Sequence, residues 1–163
     1  VKAFKKYKNH GGKGVLMVLQ GDAVDNYVNL VRKEIENESD IIFIEGFVDT
    51  KSIIKYLDKS DFVISIPESD QLSSSILEGM ARGCLPILSK LDAYDPVSDK
   101  VLFVESGPDL IDSLENVFFE TSGFSVCKYE DKSSACREFI LAHFSKEKAQ
   151  VIYCDLLKDL SEG

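Results

Sequence analysis

The chain has 163 residues, 44% hydrophobic and 29% charged, which is enough length and apolar content for one buried core. Its net charge of -9 excludes wholesale binding to a nucleic-acid backbone, which requires a basic footprint. Apolar runs of only a few residues exclude a transmembrane helix.

With no leader-like segment in view, the chain reads as cytoplasmic, and its start at Val1 rather than Met reads as a piece of a longer protein. Cys84, Cys127, Cys136 and Cys154 have neither C-x-x-C spacing nor the density of a secreted scaffold, so four reduced thiols are expected. His10 and His143 lie too far apart for a metal motif and read as surface or cap residues. Lys2, Lys5, Lys6, Lys8 and Lys13 read as the solvated face of a short helix.

Ala3, Phe4 and Tyr7 recur at helical spacing over residues 2–8, and Gly11-Gly12 ends that segment. Residues 14–20, G-V-L-M-V-L-Q, form a buried-strand pattern, and Gly21-Asp22 turns the chain into an amphipathic helix over 23–36. A second strand covers 41–45 and closes at Gly46. Asp49 or Thr50 caps a helix that runs to about residue 58. A third strand covers 62–66, a fourth 85–89 and a fifth 100–105. Residues 90–99 show no clear period. Pro108 stands in the first turn of a helix that stops before Gly123. Residues 124–133 read as a surface loop. From Ser134 to Leu160 the chain reads as helical with a break near Ser145, its apolar stripe being Ala149, Ile152, Tyr153, Leu156 and Leu160.

Strands that are continuously apolar and alternate with helices predict an α/β fold with a Rossmann-like parallel sheet covered on both faces. In such sheets ligands bind beyond the carboxyl ends of the strands. Attention therefore falls on the loops at residues 20–23, 45–50, 67–75 and 89–94.

The most informative of these is Pro67 to Pro86, P-E-S-D-Q-L-S-S-S-I-L-E-G-M-A-R-G-C-L-P. It leads from a buried strand into a short helix over residues 74–82, with Ser73 placed as N-cap and Gly83 placed to end it. Asp70 in the loop and Glu78 on the helix are two carboxylates eight residues apart. Small residues at a helix start leave backbone N–H groups open to a phosphate or diphosphate.

Pro67, Asp70, Leu77-Glu78, Met80-Ala81, Gly83 and Pro86 resemble the motif of the donor-binding, C-terminal half of GT-B glycosyltransferases, glycosyltransferase family 4. Upstream, Val18 to Asp22 resembles that family's i-v-G-d turn and Phe43 to Val48 its f-l-G-x-v strand end. The resemblance implies a single donor domain over residues 1–163, lacking the first strand of the sheet. It also implies an N-terminal acceptor domain lying elsewhere. The implied activity is retaining hexosyl transfer from a UDP- or GDP-linked sugar to a glycan or lipid-linked acceptor in polysaccharide biosynthesis. No metal or other cofactor is required, and membrane-surface association would come only through the other half.

By the same resemblance Asp70 and Glu78 are the catalytic pair. Asp70 would meet the donor sugar and Glu78 the ribose hydroxyls. The amides of Ser73, Ser74 and Ser75 would stabilise the leaving diphosphate, and backbone over Gly46, Phe47 and Val48 would hold the base. Gly21 and Leu77 complete the implied donor set. The sequence departs from the family in three ways: loop serines replace its glycines, Gly79 replaces an alanine, and its basic clamp is missing. The basic Arg and Lys that clamp the diphosphate in the family belong to the absent strand, so the chain alone is expected not to transfer sugar. Rival readings are a non-catalytic Rossmann-like module, a nucleotide-sugar epimerase-like domain and a receiver-like domain. The receiver lacks its paired acids after the first strand here, where Asp22 stands alone.

Overall fold

The computed structural model describes residues 1–20, 25–148 and 150. In chain order the elements are α1 (Lys2–Asn9), β1 (Leu16–Gln20), α2 (Asp25–Glu34), β2 (Ile41–Glu45), α3 (Thr50–Leu57) and β3 (Phe62–Ser65). Then come α4 (Ser74–Ala81), β4 (Leu85–Ser89), a 3-10 helix over Asp92–Lys100, β5 (Leu102–Val104), α5 (Leu110–Ser122) and α6 (Val126–His143). Strands and helices alternate as the apolar pattern requires, and the fold is α/β with parallel sheets flanked by helices. The strands form two sheets, however, where one was expected: β1-β2, and β3-β4-β5. Among the described residues β1 and β3 each have a neighbouring strand on one side only. The chain divides into two compact units, residues 1–56 with 104–124, and residues 57–103 with the chain from Ser125 on.

In the first unit β1 runs parallel to β2, with Leu16 opposite Ile41 and Gln20 opposite Glu45. Helix α1 packs on α5 through its apolar stripe. Phe4, Tyr7 and Ile41 are buried there, with Leu16, Val18, Ile35 and Phe118 packed around them. The Phe4 and Tyr7 rings sit 6.0 and 5.6 Å from the Phe118 ring, within the range of favourable aromatic pairs. The other face of α1 is ionic. Lys5 pairs with Glu34 and Glu38 at 3.3 Å, Lys8 with Asp40 at 2.7 Å, and Lys6 with Asp112 and the buried Glu115 at 2.8 Å. Lys5, Lys6 and Lys8 are thus paired rather than simply solvated, and His10, the C-cap of α1, joins them 2.6 Å from Glu115. Asp49 caps α3, accepting the Lys51 and Ser52 N–H groups at 3.0 and 3.1 Å.

In the second unit β3 runs parallel to β4, Phe62 opposite Leu85 and Ser65 opposite Leu88. β4 is buried along its whole length, and α4 and α6 both pack on it. Cys84, Ile76, Met80, Tyr94 and Val97 complete this core.

Three expectations fail here. Residues 126–133, read as a surface loop, are the first turns of α6: Ser125 accepts the Lys128 N–H at 3.2 Å and starts the helix. Only Cys136 and Ile140 of α6 are buried, so no apolar stripe marks it in the sequence. Polar contacts with distant parts of the chain help to hold it. The Tyr129 hydroxyl lies 3.1 and 3.2 Å from the carbonyl oxygens of Asp61 and Gly83. Likewise residues 92–100, read as aperiodic, are a 3-10 helix. Pro108 sits in the turn before α5 rather than inside its first turn. The break near Ser145 is present, with Ser145 accepting the Lys148 N–H; the stripe from Ala149 to Leu160 lies outside the described residues.

Candidate functional site

The carboxyl ends of β3 and β4 carry the loop that the sequence singled out. After β3 the chain runs through Ile66 to Ser73 and enters α4. Two fully buried hydroxyls fasten this loop. Ser89, the last residue of β4, donates to the Pro67 carbonyl at 2.8 Å. Tyr94, from the 3-10 helix, donates to Asp70 Oδ2 at 2.7 Å. Asp70 Oδ1 accepts the Gln71 N–H at 2.8 Å. Burial pushes the Tyr94 phenol up to about 12; the Asp70 carboxylate adds to the rise, as acceptor and as charge, while a hydrogen bond with Ser65 opposes it.

Ser73 takes the extended N-cap conformation, φ -75° and ψ 149°, and its carbonyl accepts the Ile76 and Leu77 N–H groups at 3.1 and 3.2 Å. Its hydroxyl caps nothing. The Ser74 and Ser75 side chains are exposed at the helix start, Leu77 is half-buried, and Glu78 is exposed one helical turn further on. Ile76, Gly79 and Met80 are buried. A Cβ on Gly79 would come within 2.9 Å of Val63 Cγ1, so glycine lets α4 lie close against β3. Gly83 ends the helix with φ +87°, a conformation that favours glycine, and its N–H returns to the Met80 carbonyl at 2.9 Å.

The remaining predicted donor residues belong to the first unit. The Gly46 N–H donates to the Gln20 carbonyl at 2.8 Å; Phe47 is 93% exposed and Val48 half-buried. Gly21 lies outside the described residues. Among the described residues no group of three His, Cys, Asp or Glu side chains is placed to hold a metal ion. No helix among them is long and apolar enough to cross a membrane.

The structure thus joins Tyr94 to Asp70 and Ser89 to Pro67, the two ends of a loop that the sequence flagged without giving either residue a role. A signal for Tyr94 was present: Leu91, Tyr94 and Val97 recur every third residue, the period of a 3-10 helix, and Tyr94 and Val97 are fully buried. Ser89 carried no signal for its bond to Pro67, since a serine ending an apolar strand looks like a turn residue.

No family model matches the chain, and no curated protein matches it by sequence. Solved structures do resemble it. The N-terminal domain of Candida albicans trehalose-6-phosphate phosphatase superposes with a TM-score of 0.75 at 13% identity, covering 96% of this chain and 37% of that one. A glycosyltransferase from Rickettsia africae gives 0.67 at 17% identity, covering 99% and 52%. A trehalose-6-phosphate protein from E. coli, bound with UDP-2-fluoro glucose, gives 0.67 at 16%, covering 95% and 38%. At these identities the likeness establishes the fold, that of GT-B glycosyltransferase domains. The chain spans between about a third and a half of the solved chains it resembles.

Proposed function

We propose that the chain is the donor-binding part of a retaining glycosyltransferase of family 4, and that it takes a UDP- or GDP-linked sugar at the loop between β3 and α4. The observation that carries the reading is the fastened loop of residues 67–71, which leads an acidic side chain to the start of α4. It lies at the strand ends where parallel α/β sheets take ligands. The bound UDP-2-fluoro glucose of the E. coli protein supports a nucleotide-sugar as the ligand class.

In this reading the diphosphate lies at the α4 N-terminus. The amides of Ser74 and Ser75 meet it, since those of Ile76 and Leu77 already bond the Ser73 carbonyl. As the glycosidic bond breaks, charge grows on the leaving diphosphate, and fixed dipoles there stabilise it without reorganising. Glu78 accepts from the ribose hydroxyls and Asp70 from the sugar. The acceptor, a glycan or lipid-linked saccharide, is chosen by an acceptor domain outside this chain, and transfer needs both. The reaction runs without an obligatory metal, at the cytoplasmic face of the membrane.

Calorimetric titration with UDP, GDP, ADP and their sugar conjugates, with Glu78→Ala alongside, tests the reading. One nucleotide is expected to bind the folded chain and to lose most of its affinity in the variant. Binding that survives Glu78→Ala unchanged overturns the assignment of Glu78, and no binding at all by the folded chain overturns the donor site.

A further inference from the structure

Tyr94 ends one of the loops that the sequence flagged, but the sequence gives it no role there. It is fully buried, and a buried hydroxyl without an acceptor is costly, so its partner matters. That partner is a carboxylate in a loop, Asp70, at 2.7 Å, a charge-assisted bond. The second oxygen of Asp70 holds the Gln71 N–H at 2.8 Å, so the side chain is tied on both sides and cannot change rotamer without breaking two bonds. A carboxylate offers about four acceptor positions, and these two bonds leave about half of them open. Meanwhile Ser89 holds the Pro67 carbonyl, which fixes the loop at a second point, while Glu68 and Ser69 between the two anchors stay exposed. Two fully buried hydroxyls committed to one polar loop make a rigid support under a single acidic group.

Resting on the donor reading above, we infer that Tyr94 is a positioning residue of this site. Its hydroxyl holds Asp70 in one rotamer, so that the open lone pairs of the carboxylate meet hydroxyls of the donor sugar without a rotameric cost on binding. Tyr94 itself touches no substrate. The consequence is a division of labour between the parts of the donor. The sugar's contribution to affinity depends on Tyr94 acting through Asp70, and the diphosphate's contribution, made at the α4 amides, does not.

Tyr94→Phe removes one oxygen and keeps the buried ring, and Ser89→Ala loosens the loop at Pro67 without touching Asp70. Two readouts apply to both variants, with thermal unfolding as the check that each is folded. In the ligand-free chain, amide exchange at Gln71 is expected to rise about tenfold or more in Tyr94→Phe, the loss of one charge-assisted bond. The Met80 and Ile87 amides keep their rates. In titrations with UDP and UDP-glucose, and with GDP and GDP-mannose, Tyr94→Phe is expected to weaken the sugar conjugate about tenfold. The bare diphosphate should bind it as it binds the unaltered chain. Ser89→Ala should leave the ratio between conjugate and diphosphate in place. A merely structural tyrosine would weaken both ligands together, and that result, or unchanged Gln71 exchange, overturns the inference. If the unaltered chain binds none of the four, the donor reading itself falls, and Gln71 exchange alone then decides whether Tyr94 holds Asp70.

Discussion

Strands β2 and β4 make an instructive pair. Both have five residues, I-I-F-I-E and L-P-I-L-S, and β2 is the more apolar of the two by composition. Yet every residue of β4 is buried, whereas in β2 only Ile41 is, and Ile42 is 46% exposed. The difference lies in neighbours. β4 has a strand on each side and is covered by α4 and α6, while among the described residues β2 pairs with β1 alone. Apolar sequence sets how much a strand can bury, and strand order decides how much it does. The two units follow suit: the second is held by a continuous apolar core, the first by a small aromatic cluster and a set of ion pairs.

The sharpest way to break this comparison is to cut both strands alike. Leu88→Ala in β4 is expected to cost about 2–5 kcal/mol, since a fully buried leucine leaves a cavity. Ile42→Ala in β2 should stay within about 0.5 kcal/mol, as at other surface positions. Denaturant unfolding of the two variants measures both, and equal losses would mean that β2 is covered after all.

The ionic side of the first unit gives the next largest effect. Lys6, the main cause, and His10 hold the Glu115 carboxyl below its ordinary value. A depressed carboxyl contributes stability that is present above its unfolded value of 4.5 and is lost as pH falls through the lower folded value. Glu115→Gln should therefore speed amide exchange in α1 and α5 several-fold near neutral pH and flatten the acid response of that unit. Because Lys6 keeps Asp112, the loss is partial. High salt, which shortens the screening length to about 3 Å at 1 M, should mimic the variant in α1 and leave β4 unmoved.

Much of this was legible in the sequence, for identifiable reasons. β2 and β4 were readable to the residue because continuous apolar runs end abruptly at Gly46 and Lys90. The start of α4 was readable from Ser73, and its end from Gly83, which the positive φ demands. The strand order was not readable, since it is set by partners far along the chain. Nor was α6, whose first turns carry Lys128, Glu130, Asp131 and Lys132 and no apolar face. At the site, the positions of Asp70 and Glu78 were visible but the support under Asp70 was not. Tyr94 lies 24 residues away, and a period of three over Leu91, Tyr94 and Val97 escapes a search for 3.6.

Gly79 offers a smaller test on the same helix. Alanine is worth about 1 kcal/mol over glycine inside a helix, but here its methyl would meet Val63, a β-branched side chain that cannot swing aside. Overpacking of that kind costs about 1–3 kcal/mol, so Gly79→Ala is expected to destabilise by about 1 kcal/mol net. Placed on a Val63→Ala background, the same change should stabilise, because the methyl then fills space that the valine left. A loss of equal size on both backgrounds would show that Val63 does not set the limit.

The smallest effect separates the units at the opposite end of the pH scale. Burial pushes the thiols of Cys84 and Cys136 up to about 11 and the phenols of Tyr94 and Tyr129 up to about 12, all in the second unit. Their unfolded values are 9.0 and 10.0. A raised folded value means that the native state keeps its proton longer, so this stability is complete below pH 9 and drains away as pH rises toward 12. Tyr94→Phe lowers stability near neutral pH by removing the bond to Asp70, but it also removes one group that must stay neutral. The gap in denaturant midpoint between the variant and the unaltered chain should therefore narrow as pH rises from 10 to 12. A constant gap would mean that the Tyr94 hydroxyl ionises alike in both states. Asp70→Asn refines the result. Burial is the larger cause of the rise and Asp70 the second, so tyrosinate absorbance in that variant should place Tyr94 below 12 and still above 10.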